Sequence, residues 1–155
     1  MRLIYSNKNV PTENLAEWLL ETLKKYPINF GCSVKNSIEL VNNIKNLKKK
    51  RGYILCSFDL QDMYTNIPVE EAIQCLKKHL EKSNSPQNEI QTCIEIAKTC
   101  MNQHFFQFRG KYYKQNSGLL IGCKLSPLLA NIYMCNMEEK LKKKIISYNL
   151  VSICR

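Results

Sequence analysis

The most informative segment of the chain reads Ser57-Phe58-Asp59-Leu60-Gln61-Asp62-Met63-Tyr64-Thr65-Asn66-Ile67-Pro68. The mostly apolar run 53–58 predicts a short and largely buried strand. Asp59 therefore stands at the C-terminal end of a strand, followed by tight and irregular backbone. An aspartate in this position most often caps a turn. It is also the hard oxygen ligand that Mg²⁺ binds together with substrate phosphates, and the segment alone leaves both interpretations open.

Helical periodicity surrounds this strand. Apolar residues three or four apart predict helices that begin at Thr12 as the cap, at Asn36 or Ser37, after Pro68, near Ile90 and near Ser126. A β-hairpin is predicted where strand residues flank a turn that contains Gly110, and 150–154 resembles the beginning of another strand. This mixed order of elements predicts an α+β fold, with helices packed on a small antiparallel sheet.

Composition limits the class of protein. The 155 residues fit one domain or a piece of a larger one, and a hydrophobic fraction of 45% is typical of a globular chain. No run of about 18 apolar residues exists, which excludes a transmembrane span, and no signal peptide is apparent. We therefore expect an intracellular protein, nuclear or cytoplasmic. The 8 cysteines form no Cys-x-x-Cys motif, so they are expected to be reduced thiols packed as small hydrophobes.

Positive charge dominates the chain. There are 23 Lys and Arg against 13 Asp and Glu, a net charge of +10. Much of it falls in two clusters, Lys45 with 48–51 and Lys140 with 142–144. Each cluster alone is typical of a solvated helix face or a helix C-terminus. Taken with the net charge, they favour binding to a nucleic-acid backbone. The predicted nucleic-acid contacts are Lys48, Lys49, Lys50, Arg51, Tyr112 and Tyr113.

Two motifs resemble the reverse transcriptases of Penelope-like retroelements. Residues 57–68 resemble the first catalytic-aspartate motif, in which a strand ending Phe-Asp leads to Tyr-Thr-Asn-Ile-Pro. Residues 115–131 resemble the later motif Gln…Gly…Met-Gly-Ser-Pro-Leu-Ser-Pro-x-Leu-Ala-Asn. The flanking segments 2–6 and 33–37 and the hairpin 106–115 also have counterparts in that family. The resemblance therefore covers essentially the whole chain.

This resemblance implies an incomplete polymerase palm with part of the fingers. Residues 1–52 would form the lead-in from fingers to palm, and 53–155 would form the palm up to just before a Tyr-x-Asp-Asp motif. The implied activity is RNA-directed DNA polymerisation by two-metal nucleotidyl transfer, with Mg²⁺ or Mn²⁺ as the cofactor. The implied partners are an RNA template, a DNA primer and deoxynucleoside triphosphates, with no membrane. The oligomeric state is not implied.

The resemblance also implies roles for the residues around Asp59. Asp59 would bind both metal ions, and Leu60 would offer its backbone carbonyl. Gln61 and Asp62 would lie near the triphosphate. Tyr64 would hold its ring under the incoming sugar as a steric gate against a 2′ hydroxyl. A cap role for Asp62 and a core role for Tyr64 remain open alternatives.

Three further residues receive nucleotide-binding roles from the resemblance. Gly122 would let backbone approach the nucleotide because it has no Cβ, although a simple turn glycine would look the same. Lys124 would add positive charge near the nucleotide. Arg2 matches a fingers arginine that meets the triphosphate, but it lies near a terminus that could fray.

Departures from the family pattern bear on activity. No aspartate follows Asp62 in these 155 residues, so the second catalytic aspartate motif is missing. One aspartate cannot hold two Mg²⁺ ions, whose mutual repulsion needs several anionic ligands. The family's Met-Gly-Ser-Pro is replaced by Ile121-Gly122-Cys123-Lys124. We therefore expect the isolated chain to be inactive. The alternatives are a non-catalytic basic nucleic-acid-binding module and a helical interaction protein.

Overall fold

The structure, a computed structural model, describes residues 10–28, 33–34, 36–45, 57, 59–102, 105–144 and 152–153. Helices predominate and two small strand pairs accompany them, so the predicted α+β class is confirmed. In chain order the elements are α1 Thr12–Leu23, β1 Ser33–Val34, α2 Ser37–Lys45, α3 Met63–Asn66, α4 Val69–Lys82, α5 Gln87–Asn102, β2 Phe105–Phe108, β3 Lys111–Lys114, α6 Ser126–Lys144 and β4 Ser152–Ile153.

The first helix begins at Thr12, and its cap residue lies one position earlier than predicted. Pro11, with φ −56° and ψ −28°, already has helical backbone and is the cap residue, while Thr12 is buried inside the helix. The prediction of Thr12 as the cap is therefore wrong. Proline fits this position because its ring fixes φ near the helical value and a helix start needs no N–H donor there. The helix buries Leu19 and Leu23.

The second helix begins where the sequence predicts. The side-chain carbonyl of Asn36 accepts a hydrogen bond from the backbone N–H of Glu39 at 2.9 Å, so Asn36 caps α2. The apolar side chains of Ile38 and Val41 are exposed to solvent, and α2 has no buried residue. This helix therefore adds nothing to the core that the described residues form.

The core lies between α1, α4, α5 and α6. Helix α5 packs against both α1 and α4, and α4 also packs against α6. Helix α4 starts directly after Pro68 and buries Ile73, Leu76 and Leu80, as its apolar spacing predicts. Between α5 and α6 the chain forms the hairpin and then the loop 115–125, whose buried leucines join the same core. This packing fixes the loop against the helices.

The predicted hairpin is confirmed. Strands β2 and β3 pair antiparallel, with Phe105 opposite Lys114 and Phe108 opposite Lys111. The turn consists of Arg109 and Gly110, whose φ angles of 49° and 77° are both positive. Two central residues with positive φ are the mark of the type I′ turn, whose twist matches that of paired strands.

A second strand pair joins distant parts of the chain. Strands β1 and β4 pair in parallel, with Ser33 opposite Ser152 and Val34 opposite Ile153. The strand predicted within 150–154 is thus confirmed for 152–153, whereas its parallel pairing was not foreseen. Of the strand predicted at 53–58, only Ser57 is among the described residues.

The described cysteines are mostly buried. Cys75, Cys93, Cys100 and Cys123 are free and buried, and Cys135 is half-buried. The prediction of reduced thiols is therefore confirmed for these residues. In the described part of the chain, no helix combines the length and the apolar character needed to cross a bilayer.

Candidate nucleotide and metal site

The turn after Asp59 is held by its own side chains. Asp62 adopts the left-handed conformation, with φ 47°, which aspartate tolerates better than most residues. The Thr65 hydroxyl donates to the Asp62 carbonyl at 3.0 Å, and the Asn66 amide donates to the Gln61 carbonyl at 3.1 Å. These bonds make the short helix α3 a rigid continuation of the segment that carries Asp59.

Asp59 and Leu60 lie at the surface. The carboxylate-bearing residue is exposed, and Leu60 is 55% exposed although it is apolar. An exposed carboxylate is a suitable oxygen ligand for Mg²⁺ or Mn²⁺, so Asp59 fits the metal that the resemblance implies. Among the residues that the structure describes, no group of three or more His, Cys, Asp or Glu could hold a metal ion. Asp59 thus fits as one ligand of a site that these residues do not complete.

The loop 115–125 docks directly on α3. The backbone N–H of Leu119 donates to the carbonyl of Tyr64 at 2.7 Å. Gly118, with φ 83°, lies so close to α3 that an added Cβ would be 2.5 Å from the Thr65 carbonyl oxygen. Only glycine fits there, because the position demands both a positive φ and the absence of a side chain. The two motifs that the sequence singles out are therefore in contact.

Gln115 fixes the approach of this loop. Its side-chain amide donates to the carbonyls of Ser117 at 2.7 Å and Gly118 at 3.1 Å. Sequence reasoning assigned no role to Gln115 or Gly118, although both belong to the motif that carries the resemblance. The available signal was the spacing Gln-x-x-Gly within a glycine-containing loop. A glutamine amide at this spacing can reach the carbonyls two and three residues later in the chain.

Tyr64 combines a backbone role with a partly accessible ring. The ring is half-buried and packs against the hydrophobic core, while the carbonyl accepts the bond from Leu119. The geometry is therefore compatible with both a core role and a site role for Tyr64. The ring is anchored by packing, and part of it faces solvent.

Gly122 is held at the surface by buried neighbours. Leu120, two residues before it, and Cys123, directly after it, are buried, whereas Gly122 is exposed and has φ 111°. Burial raises the pKa of the Cys123 thiol, partly offset by hydrogen bonds from Leu125 and Ser126. The anchored neighbours present the bare backbone of Gly122 to solvent in a conformation that favours glycine.

Lys124 connects the loop to the first helix. Its ammonium forms an ion pair with Glu13 at 2.9 Å and also contacts the carboxylate of Glu17. Hydrogen bonds to Glu17 and Glu13 raise the pKa of Lys124 above its ordinary value of 10.5. The predicted nucleotide contact thus has two carboxylate partners on α1. No sequence signal identifies these partners, which are distant in the chain.

The remaining predicted site residues fall in two groups. Tyr112 and Tyr113 lie on β3 of the hairpin, apart from the contact between α3 and the loop. Arg2, Lys48, Lys49, Lys50 and Arg51 lie outside the described residues. The structure therefore brings together the segment 59–66 and the loop 115–125. The hairpin directly precedes this loop in the chain.

Comparison with known proteins gives one family. A family model described as "Reverse transcriptase (RNA-dependent DNA polymerase)" matches residues 3–154. Neither the curated proteins nor the solved structures gave a match.

Proposed function

This chain belongs to the reverse transcriptase family, and we propose that its segment 59–66 and its loop 115–125 form the nucleotide side of a polymerase palm. The observation that supports this proposal is the docking of Gly118 and Leu119 on α3. It joins the aspartate motif and the glycine motif on one surface. A nucleoside triphosphate would bind across both.

In the proposed site, Asp59 and the backbone carbonyl of Leu60 would hold the divalent cation. Two such cations, Mg²⁺ or Mn²⁺, supply charge stabilisation for nucleotidyl transfer to a primer 3′ hydroxyl. Because no other aspartate except Asp62 exists in these 155 residues, further carboxylates must come from elsewhere in a working enzyme. We therefore propose that the isolated chain binds metal and nucleotide but does not polymerise.

The protein's own residues would orient the nucleotide. The rigid turn would hold Gln61 and Asp62 beside the triphosphate, where backbone groups rather than charge would contact it. Tyr64 would exclude a 2′ hydroxyl with the accessible part of its ring. Gly122 would admit the nucleotide to the backbone, since a Cβ there would stand in the way.

Lys124 would contact the triphosphate while remaining paired. An ammonium group carries three donors, and Glu13 and Glu17 engage two of them. The third donor is then available to a phosphate oxygen. Two carboxylates close by would weaken that attraction, so we propose a minor contribution from Lys124 and a larger one from Arg2.

The finer assignments rest on sequence resemblance. We propose a Penelope-like subtype from the Tyr64–Pro68 stretch, a lead-in at 1–52 and a palm at 53–155. The partners would be an RNA template, a DNA primer and deoxynucleoside triphosphates, with the basic residues 48–51 on a phosphate backbone. The second candidate function, a non-catalytic nucleic-acid-binding module, is favoured by the exposed basic hairpin and requires no metal.

Paramagnetic broadening by Mn²⁺ tests the proposed site. With Mn²⁺ and dATP added to the isotope-labelled chain, we expect amide resonances of 59–64 and 119–122 to broaden. Asp59→Asn should abolish the broadening, and the matched variant Asp62→Asn should retain most of it. Removing Mn²⁺ with a chelator should restore the spectrum. Broadening that survives in Asp59→Asn would contradict the proposed metal ligand and favour the non-catalytic module.

Primer extension tests the proposed inactivity. The pure 155-residue chain is expected to add no nucleotides to a DNA primer on an RNA template in Mg²⁺ or Mn²⁺, because Asp59 alone cannot hold two cations. Extension that depends on Asp59 would show that the chain assembles its metal site by itself and would overturn this part of the proposal.

A further inference from the structure

The hairpin exposes several aromatic side chains to solvent. Phe105 is 65% exposed and Tyr112 is 76% exposed, and all of β3 lies at the surface. The pairing register and the alternation of side chains divide the hairpin into two faces. One face, called the open face below, carries Phe105, Gln107, Tyr112 and Lys114. The opposite face carries Phe106, Phe108, Lys111 and Tyr113.

The opposite face already has internal partners. The rings of Phe106 and Tyr113 stack with centroids 5.3 Å apart and planes inclined by 19°. The Arg109 guanidinium lies 5.3 Å from the centroid of the Phe108 ring. These contacts give the rings partners within the hairpin, although Phe108 remains 51% exposed and Tyr113 43% exposed. They also hold the two strands in register.

The open face has a different geometry. Phe105 is paired with Lys114, and Gln107 with Tyr112, so the two rings are diagonal neighbours. The backbones of such neighbours lie about 7–8 Å apart on a sheet. Both rings are exposed to solvent, and the face of an exposed aromatic ring can stack on a planar nucleic-acid base. The Lys114 ammonium lies over the Phe105 ring, 5.9 Å from its centroid.

Charge favours an anionic occupant for the open face. The hairpin residues 105–114 include Arg109, Lys111 and Lys114 and no acidic residue. Alternating aromatic rings and cations suit a single nucleic-acid strand, whose bases stack and whose phosphates pair with the cations. A duplex keeps its bases stacked inside and would leave the rings without a partner.

A cleft of about 330 Å³ adjoins Lys114 of the open face. Its lining includes Asn102, Asn116 and Gly118, together with the acidic Glu70. Gly118 is the residue that docks on α3. The cleft therefore connects the hairpin with the contact between the two motifs, and its amide side chains offer donors and acceptors to a strand that follows it.

We propose that the open face binds unpaired bases of a single-stranded nucleic acid, with bases stacked on Phe105 and Tyr112 and a phosphate on Lys114. In the context of the proposed function, which this inference deepens, the strand is the unpaired part of the template. The stacking itself requires neither metal nor nucleotide. This independence allows the two proposals to be tested separately.

The test is binding of a fluorescent oligothymidylate of about 12 nucleotides, without divalent metal, to the whole chain. We expect Phe105→Ala and Tyr112→Ala each to weaken binding about tenfold, because stacking on one aromatic side chain is lost. Tyr112→Phe should bind like the parent, since the ring remains. Trp18→Ala, which removes an exposed aromatic ring from α1, is the matched control and should also leave binding unchanged.

The outcomes separate the two proposals. Weaker binding of a duplex with the same length, and unchanged binding by Asp59→Asn, would support the open face as a single-strand site. Equal effects of Trp18→Ala and Tyr112→Ala, or equal binding of duplex and single strand, would overturn it while leaving the metal site untouched. Self-association that Tyr112→Ala abolishes, without oligonucleotide binding, would also overturn it and identify a second copy as the occupant.

Discussion

The backbone amide of Leu119 donates a 2.7 Å hydrogen bond to the carbonyl of Tyr64. This bond fixes the distance between two segments that are far apart in sequence. Gly118 also lies so close to Thr65 that the loop cannot move nearer to α3. A shift of the loop would move α3 and hence the turn that carries Asp59. The contact therefore sets the relative position of the proposed metal ligand and the proposed nucleotide-binding glycine.

Replacing Gly118 should be far more damaging than replacing Gly110. Both glycines have positive φ, but a Cβ at Gly110 would meet nothing within 4 Å, whereas at Gly118 it would collide with Thr65. Gly110→Ala is expected to cost about 1 kcal/mol from backbone strain. Gly118→Ala adds an overlap with backbone and should cost about 3 kcal/mol in total. Urea denaturation of both variants measures the difference.

Equal losses for the two glycine variants would mean that the loop moves away from α3 at little cost. The contact would then not position the site. Amide resonances of Tyr64 and Leu119 in Gly118→Ala provide a second readout, since a broken bond between them shifts both.

Tyr64 should govern the choice between deoxyribose and ribose. If its ring lies under the incoming sugar, Tyr64→Ala should reduce the preference for dATP over ATP about tenfold, measured by competition in the Mn²⁺ broadening experiment. Tyr64→Phe keeps the ring and serves as the control. An unchanged preference in Tyr64→Ala, with the fold intact, would identify the ring as part of the core only.

Patterns within one element were predictable from sequence, and contacts between elements were not. Apolar spacing predicted α4 with Ile73, Leu76 and Leu80 inside, because those residues lie on one helical face. The Gly110 turn predicted the hairpin for a similarly local reason. By contrast, the space available at Gly118 depends on where α3 lies. No local pattern encodes that, so its role emerged only from the structure.

The pairing of Lys124 with α1 was also beyond sequence reasoning. Its partners Glu13 and Glu17 lie one helical turn apart, which is an ordinary arrangement on an exposed helix face. The charge was visible in the sequence, but its neighbours were set by the packing of the loop against the helix. The motif resemblance suggested a nucleotide contact for Lys124. It carries no information about α1, so it could not reveal the two carboxylate partners.

The Lys124 ion pairs should contribute modestly to stability. We expect Lys124→Met to lower the free energy of unfolding only slightly at low salt, because the group is exposed to solvent. The loss should shrink at high salt, where screening already weakens the pairs. Lys24→Met, which removes the ion pair between Glu21 of α1 and the C-cap residue Lys24, is the matched control. It should cost less, because both of these side chains are more exposed than those of the Lys124 pairs.

A salt-independent loss in Lys124→Met would point to packing of the aliphatic chain rather than charge. A double-mutant cycle with Glu17→Gln separates these contributions, since only the ionic part depends on both partners. Because pairing raises the pKa of Lys124, its contribution is fully present below pH 10.5 and is lost as the pH rises through the higher folded value.

The buried thiols should make the protein less stable in alkali. Burial raises the pKa of Cys100 to about 11, with a smaller effect from Cys123, and burial also raises the pKa values of Cys75 and Cys93 from 9.0. The unfolded chain thus releases these protons at lower pH than the folded chain, and the free energy of unfolding falls as the pH rises above about 9. Denaturation at pH 7.5 and at pH 10 measures the decline.

Cys100→Ala tests the origin of that decline. The variant loses packing at every pH, yet its stability should fall less steeply between pH 7.5 and 10, because one shifted thiol is gone. Peptide mapping after brief alkylation of the folded protein gives an independent check. The half-buried Cys135 should react faster than the buried Cys100, whose thiol donates to the Thr12 carbonyl at 3.8 Å. Comparable rates at these two cysteines would show that the interface between α1 and α5 opens readily, and the slope of stability against pH would then have another cause.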